Sequence, residues 1–194
     1  RNNLGGIAGI AGGMNKIGSI EDCHADMTIK GENNIGGIAG SSNRILIKNC
    51  HASGILTASI PEYEDFNDPI YSLGGVVCSI ATDWNGSQEK ILVNCVALST
   101  SLSIAENEQN PDKVYKGVHR VAGTTVNDLG MDGYTEAGIE GCYALKGVTI
   151  EGNEITSDDA TSSEGATVET ADKSFFEGIG FAYGSNDENP WVDS

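Results

Sequence analysis

Basic residues are scarce in this chain: 11 Lys and Arg stand against 28 Asp and Glu, for a net charge of −17. Nucleic acid and anionic bilayers are held by clustered Lys and Arg, so neither is expected as a partner. No apolar run approaches the roughly 18 residues that a membrane helix requires, so no membrane insertion is expected in this segment. Proline supplies only 4 residues, which excludes a collagen-like or proline-rich linker composition. No long window shows a helical period. Histidine is limited to His24, His51 and His119. There is no His-Glu-x-x-His pattern, and no two cysteines are separated by two to four residues. A zinc peptidase centre and a structural zinc site are therefore not expected, nor is any other metal or cofactor, and no residue is assigned a catalytic role. No secretory leader is visible and the chain opens at Arg1 in mid-repeat, so it is expected to be a processed or excised piece of a longer protein.

What is abundant is glycine, at 26 residues, and it recurs in register with a second motif. Ile20-Glu21-Asp22-Cys23-His24-Ala25 returns as Ile47-Lys48-Asn49-Cys50-His51-Ala52. It returns again as Leu92-Val93-Asn94-Cys95-Val96-Ala97 and as Ile139-Glu140-Gly141-Cys142-Tyr143-Ala144. A glycine-rich strip precedes each copy: Leu4-Gly5-Gly6-Ile7-Ala8-Gly9, Ile35-Gly36-Gly37-Ile38-Ala39-Gly40, Leu73-Gly74-Gly75-Val76-Val77-Cys78 and the eroded Val118-His119-Arg120-Val121-Ala122-Gly123. Repetition on this scale is the signature of a solenoid, in which each unit buries its apolar edge against the next.

The hexapeptide contains a corner. Its first apolar residue and its cysteine are three apart, so strand alternation alone would point them to opposite faces. Both face inward only if the backbone bends between them. The residue before each cysteine is Asp22, Asn49, Asn94 or Gly141, types that tolerate the left-handed conformation β-branched residues avoid. Beyond the corner, Ile29, Leu56, Leu102 and Ile150 can continue an inward row. The Gly-Gly step of the strip implies a second bend or a close approach of two backbones. The expected architecture is all-β: a right-handed parallel β-helix (solenoid) of about four coils, with three short strands per turn, loop insertions and a C-terminal cap. Cys23, Cys50, Cys95 and Cys142 form its structural repeat core, as buried, reduced thiols.

Successive cysteines of the repeat are separated by 27, 45 and 47 residues. The first spacing is close to a bare coil, and the surplus in the later ones is expected as loops at 58–71, 81–90, 105–116 and 124–137. Residues 1–150 then constitute the repeat domain, and 151–194 an acidic irregular segment and an aromatic C-terminal cap. The tail holds 11 acidic residues against Lys173 alone. Its stretch 151–173 reads as irregular and solvated. Phe175, Phe176, Phe181, Tyr183 and Trp191 suit a cover over the open end of a solenoid. The N-terminal edge has no such cover, and either a cap lies upstream or the edge self-associates with another copy.

These repeats resemble the GLUG repeat of bacterial surface proteins, of Bacteroides type, through Gly-Gly-Ile-Ala-Gly followed by Ile-x-Asn-Cys-x-Ala. The segment Phe175-Phe176-Glu177-Gly178-Ile179-Gly180-Phe181, with Tyr183-Gly184 and Pro190-Trp191, resembles the close of such arrays. The resemblance covers about residues 3–150 and the cap. It implies an extracellular or outer cell-surface protein with a non-catalytic, adhesin-like role in binding or display. Copy four departs from the pattern at His119 and Arg120, which puts its bend in question.

A host or bacterial glycan or protein is the expected ligand. The candidate contacts are Tyr63, Asp65, Phe66 and Tyr71 in one insertion and Trp84 in the next, since aromatics beside acids suit sugar faces or basic partners. A structural stalk that spaces another domain is one alternative. A glycan-active β-helix enzyme is the other, yet stacking the repeats puts no two acids on neighbouring rungs at either position before the cysteine. His24 and His51 fall on adjacent rungs, but Val96 and Tyr143 continue their column, so an exposed pair is expected rather than a metal site. No partner for His119 can be placed. Asp128-x-x-x-Asp132-Gly133 shares part of a calcium-loop pattern, but Gly130 and Ile139 stand where ligands belong.

Overall fold

The computed structural model describes residues 3–12, 18–32, 34–59, 72–81, 90–105, 117–125 and 138–181. The first coil contains β1 (Asn3–Gly5), β2 (Ala8–Gly12), β3 (Gly18–Glu21) and β4 (His24–Glu32). The second repeats the pattern as β5 (Asn34–Gly36), β6 (Ala39–Asn43), β7 (Ile45–Lys48) and β8 (His51–Ser59). The third has β9 (Leu73–Gly74), β10 (Val77–Ala81), β11 (Lys90–Val93) and β12 (Val96–Ala105). The fourth has β13 (Val118–His119), β14 (Ala122–Thr125), β15 (Gly138–Glu140), β16 (Tyr143–Leu145) and β17 (Thr149–Ile150). After it come β18 (Asn153–Glu154), β19 (Ala166–Val168) and a short helix α1 (Lys173–Gly178). Equivalent strands of successive coils pair in parallel, and the chain is a parallel β-helix.

Coils one to three contribute four strands each rather than the three expected, because the Gly-Gly step and the corner before the cysteine both break the ladder; in the fourth coil the last strand is split again into β16 and β17. The register is that of the repeat. Ile20, Ile47, Leu92 and Ile139 stack in one column. Ala25, Ala52, Ala97 and Ala144 stack in another. Ile29, Leu56, Leu102 and Ile150 form the inward row beyond the corner. These columns fill two apolar compartments, one around Ile38, Ile47, Val76 and Leu92, the other around Ile35, Leu56, Leu73 and Leu102.

The corner has a single chemical cause. Asp22, Asn49, Asn94 and Gly141 all lie in the left-handed region, with φ of 53°, 50°, 50° and 60°. Their short polar side chains, or none, make that conformation accessible. Asn49 Nδ2 donates to Asp22 Oδ1 at 3.1 Å, so the corners also bond to each other. The Gly-Gly step works differently. Neither Gly36-Gly37 nor Gly74-Gly75 lies in the left-handed region. A Cβ at Gly37 would stand 2.2 Å from the Gly75 carbonyl oxygen, and one at Gly75 would stand 2.0 Å from that of Arg120. These glycines exist because the next coil's backbone occupies the space of a side chain.

The two ends are unlike. Ile38, Val76 and Val121 are fully buried, whereas their first-coil counterpart Ile7 is 49% exposed. At the other end the segment expected to be irregular continues the stack. β19 pairs with β16 in parallel, the Ser163 carbonyl accepts from Val121 N and Ala122 N, and the Ala160 carbonyl accepts from Cys142 N. Glu151 closes the exposed edge of β12, its carboxylate accepting from Ile104 N where β17 has ended.

Candidate functional site

The thiols form one interior column. Cys50, Cys95 and Cys142 are fully buried and Cys23 is partly exposed; all are free. Each donates to the carbonyl two residues earlier, Cys50 to Lys48 at 3.1 Å and Cys95 to Val93 at 3.3 Å. Three also point toward the coil beneath, Cys50 to the Ile20 carbonyl and Cys95 to that of Ile47, both at 3.5 Å, and Cys142 to that of Leu92 at 3.7 Å. Burial foremost, with the neighbouring thiols of Cys142 and Cys50 adding to it, raises Cys95 well above an ordinary thiol. Cys78 is separate: it lies in β10, donates to the Ser72 carbonyl at 2.9 Å, and burial pushes it up to about 12.

Among the described residues, the C-terminal aromatics do not plug the end of the tube. Phe176 and Phe181 pack on its outer flank, against Val96, Leu98 and Tyr143. Asp172 caps α1 by accepting from Phe175 N at 3.0 Å. The helix thus presents Phe175 edge-on to Tyr143 and Phe176 against His51, with ring centroids 5.3 and 5.2 Å apart. Apolar residues record that a surface must be buried but not which one, so the end and the flank are indistinguishable from composition. Tyr183 and Trp191 lie outside the described residues.

The cap changes the histidine pair. His24 and His51 stack with centroids 5.3 Å apart and 17° between planes. His24 is exposed, but His51 is half-buried beneath Phe176 and Phe181. Burial, helped by the His24 ring, lowers His51 to about 4. Among the described residues, no three His, Cys, Asp or Glu side chains converge to hold one ion.

The eroded fourth strip carries a polar cluster that the sequence left unpaired. His119 Nδ1 lies 2.6 Å from Glu164 Oε1. Arg120, fully buried, donates Nη2 to the Gly165 carbonyl at 2.8 Å and Nη1 to Thr167 Oγ1 at 3.1 Å. Burial alone would raise the Glu164 carboxyl, but the His119 hydrogen bond, the Arg120 backbone N–H and their charges outweigh it and hold the group below the usual range. An ionised Glu164 can only accept, so His119 Nδ1–H is the donor. The bend persists at 120–121 without its glycine. Arg120 can carry a side chain there and turns it into the last rung.

The ligand candidates Tyr63, Asp65, Phe66, Tyr71 and Trp84 lie outside the described residues, as do Asp128 and Asp132. The strands that flank them are described. The 60–71 insertion follows β8 and the 82–89 insertion follows β10, so they fall at different corners of the repeat. In the next coil 106–116 follows β12 and 126–137 follows β14, the same two corners one rung on.

Residues 1–30, which hold the first coil, match the family model of the GLUG motif. No curated protein matches the chain, and no solved structure matches it.

Proposed function

We propose that this chain, whose first coil is a GLUG motif, is a non-catalytic adhesin-like module for binding or display at the outer cell surface or in the extracellular space. Its ligand is a glycan or a protein, met by the insertions of the third and fourth coils. The supporting observation is the division of labour within a coil. The columns repeated from coil to coil are apolar, thiol or glycine and are spent on stacking. The extra residues of the longer coils fall in the chain after β8 and β10 and, one rung on, after their partners β12 and β14. Loops carried on a rigid scaffold are where recognition usually resides.

Tyr63, Asp65, Phe66, Tyr71 and Trp84 are the proposed contacts. The experiment is a glycan array and a cell-binding assay on the purified chain and on the double variant Tyr63→Ala, Trp84→Ala. Loss of signal with an unchanged far-UV CD spectrum supports recognition by the insertions. Wild-type signal in the double variant overturns it, and a chain that binds nothing is a spacer.

A further inference from the structure

We infer that Cys23 and Cys50 form a linear, two-coordinate site for a soft monovalent d10 cation, Cu(I), at the first rung of the interior thiol column. Their neighbours His24 and His51 are paired directly across β4 and β8, so the two cysteines occupy equivalent positions on adjacent rungs. Cys23 packs against the interior cluster that holds Cys50, and Cys50 Sγ reaches back 3.5 Å to the Ile20 carbonyl of the coil that carries Cys23. Parallel strands repeat at roughly 4.8 Å, and side chains in register project side by side. A disulfide would need the sulfurs to close to about 2.05 Å with a torsion near 90°, which that arrangement suits poorly. A bridging cation needs the opposite. Four-coordinate zinc–thiolate bonds are about 2.3 Å, and a two-coordinate ion bonds sulfur more closely, so two such bonds in line span a little under about 4.6 Å, near the rung repeat. The side chains then stand nearly perpendicular to the metal–sulfur line, as sulfur bonding prefers.

Ligand type and charge select the ion. Paired thiols without a third ligand suit a soft cation that accepts two ligands; zinc demands four. The site is partly dry, and an uncompensated charge there is costly. On binding, Cu(I) displaces one S–H proton to solvent, leaving a thiolate–Cu(I)–thiol unit that is neutral overall; no electron moves. The partly exposed Cys23 is the way in, since Cys95 and Cys142 are fully buried. Cys78 is a built-in control, because its polar neighbours are Ser72 and the Ile35 backbone rather than a sulfur.

The test is anaerobic titration of the reduced, full chain with Cu(I) against a chromophoric Cu(I) chelator. Proton release is followed in weak buffer, and far-UV CD and melting check each variant. The unaltered protein should take up about one Cu(I) tightly and release about one proton with it. Cys23→Ala, at a partly exposed position, should fold and bind at least about 100-fold more weakly. Cys78→Ser should match the wild type. Uptake by the wild type no tighter than by Cys23→Ala, or loss of uptake in Cys78→Ser, overturns the assignment. So does binding without proton release, which needs no variant to read.

Discussion

Replacing Gly75 by alanine tests whether the glycine strip is a matter of space or of backbone conformation. Gly75 is not in the left-handed region, so alanine brings no strain of its own. Its Cβ, however, would stand 2.0 Å from the Arg120 carbonyl oxygen and 3.0 Å from Ala97 Cβ. Real Cβ atoms do not approach backbone within 3.0 Å, so the Arg120 peptide must retreat. The adjacent Val121 carbonyl accepts from Val76 N at 2.9 Å and Val77 N at 3.1 Å, and both bonds lengthen as that peptide moves. Two weakened hydrogen bonds cost about 1 kcal/mol each. Overpacking adds about 1–3 kcal/mol. The total is about 3–5 kcal/mol, a large share of the roughly 5–15 kcal/mol that holds a domain together.

Equilibrium urea unfolding by far-UV CD reads this directly. Gly178→Ala is the control, since nothing lies within 4 Å of a Cβ there and φ is not positive. Gly178→Ala should be neutral or slightly stabilising, as alanine favours a helix. A Gly75→Ala protein within about 0.5 kcal/mol of wild type, the range of an ordinary surface change, would refute the steric account.

Asn94→Val should cost about 1–2 kcal/mol in the same assay, because a β-branched residue is forced to φ near 50°, whereas Asn94→Gly should cost little, matching Gly141 one coil on. His51, lowered to about 4 from 6.5, is neutral in the fold and takes up its proton on unfolding. Its contribution is therefore intact above pH 6.5 and is lost as pH falls from 6.5 toward 4. The span corresponds to about 3 kcal/mol, reduced to about 2 by partial exposure, and the wild-type-minus-His51→Val difference in unfolding free energy across pH should trace it. Phe176→Ala should destabilise by about 3 kcal/mol in urea and, by uncovering the ring, move the His51 titration seen by NMR upward from about 4.

What could be read from the residues was whatever depends on one position and its neighbours in the chain. The corner is such a feature. Asp22, Asn49, Asn94 and Gly141 share a backbone need that their side chains reveal, and the three-residue spacing from Ile20 to Cys23 demands a bend at that place. The inward row of Ile29, Leu56, Leu102 and Ile150 followed from parity alone. What escaped depends on the stacking distance of remote segments. His119 meets Glu164, 45 residues on, only once 151–168 has closed over the fourth coil. That segment's Thr, Ser, Asp and Glu looked solvated because its contribution to the end rung is made by backbone carbonyls, which composition does not show. The flank position of Phe176 was hidden for a related reason: Val96 is the only strongly apolar member of its column that the repeat offered as a landing site.

Erosion of the fourth glycine pair follows from the direction of stacking. In coils one to three the second glycine is required by the carbonyl of the following coil, at 2.5, 2.2 and 2.0 Å from a would-be Cβ at Gly6, Gly37 and Gly75. Arg120 is followed by a different kind of rung, built from 160–168, and the requirement lapses. A side chain becomes tolerable at this position, and arginine uses it to bond Gly165 and Thr167. The fourth copy is thus not a worn repeat but one fitted to the different rung that stacks on it. Its departure from the pattern is specific to one end, because the first coil keeps Gly5, Gly6 and Ile7 in their interior form while Ile7 stands exposed. A glycine restored at 120 would remove the two Arg120 side-chain bonds and its ion pair to a partly buried Glu164. Regularising the repeat should therefore weaken the fold rather than strengthen it.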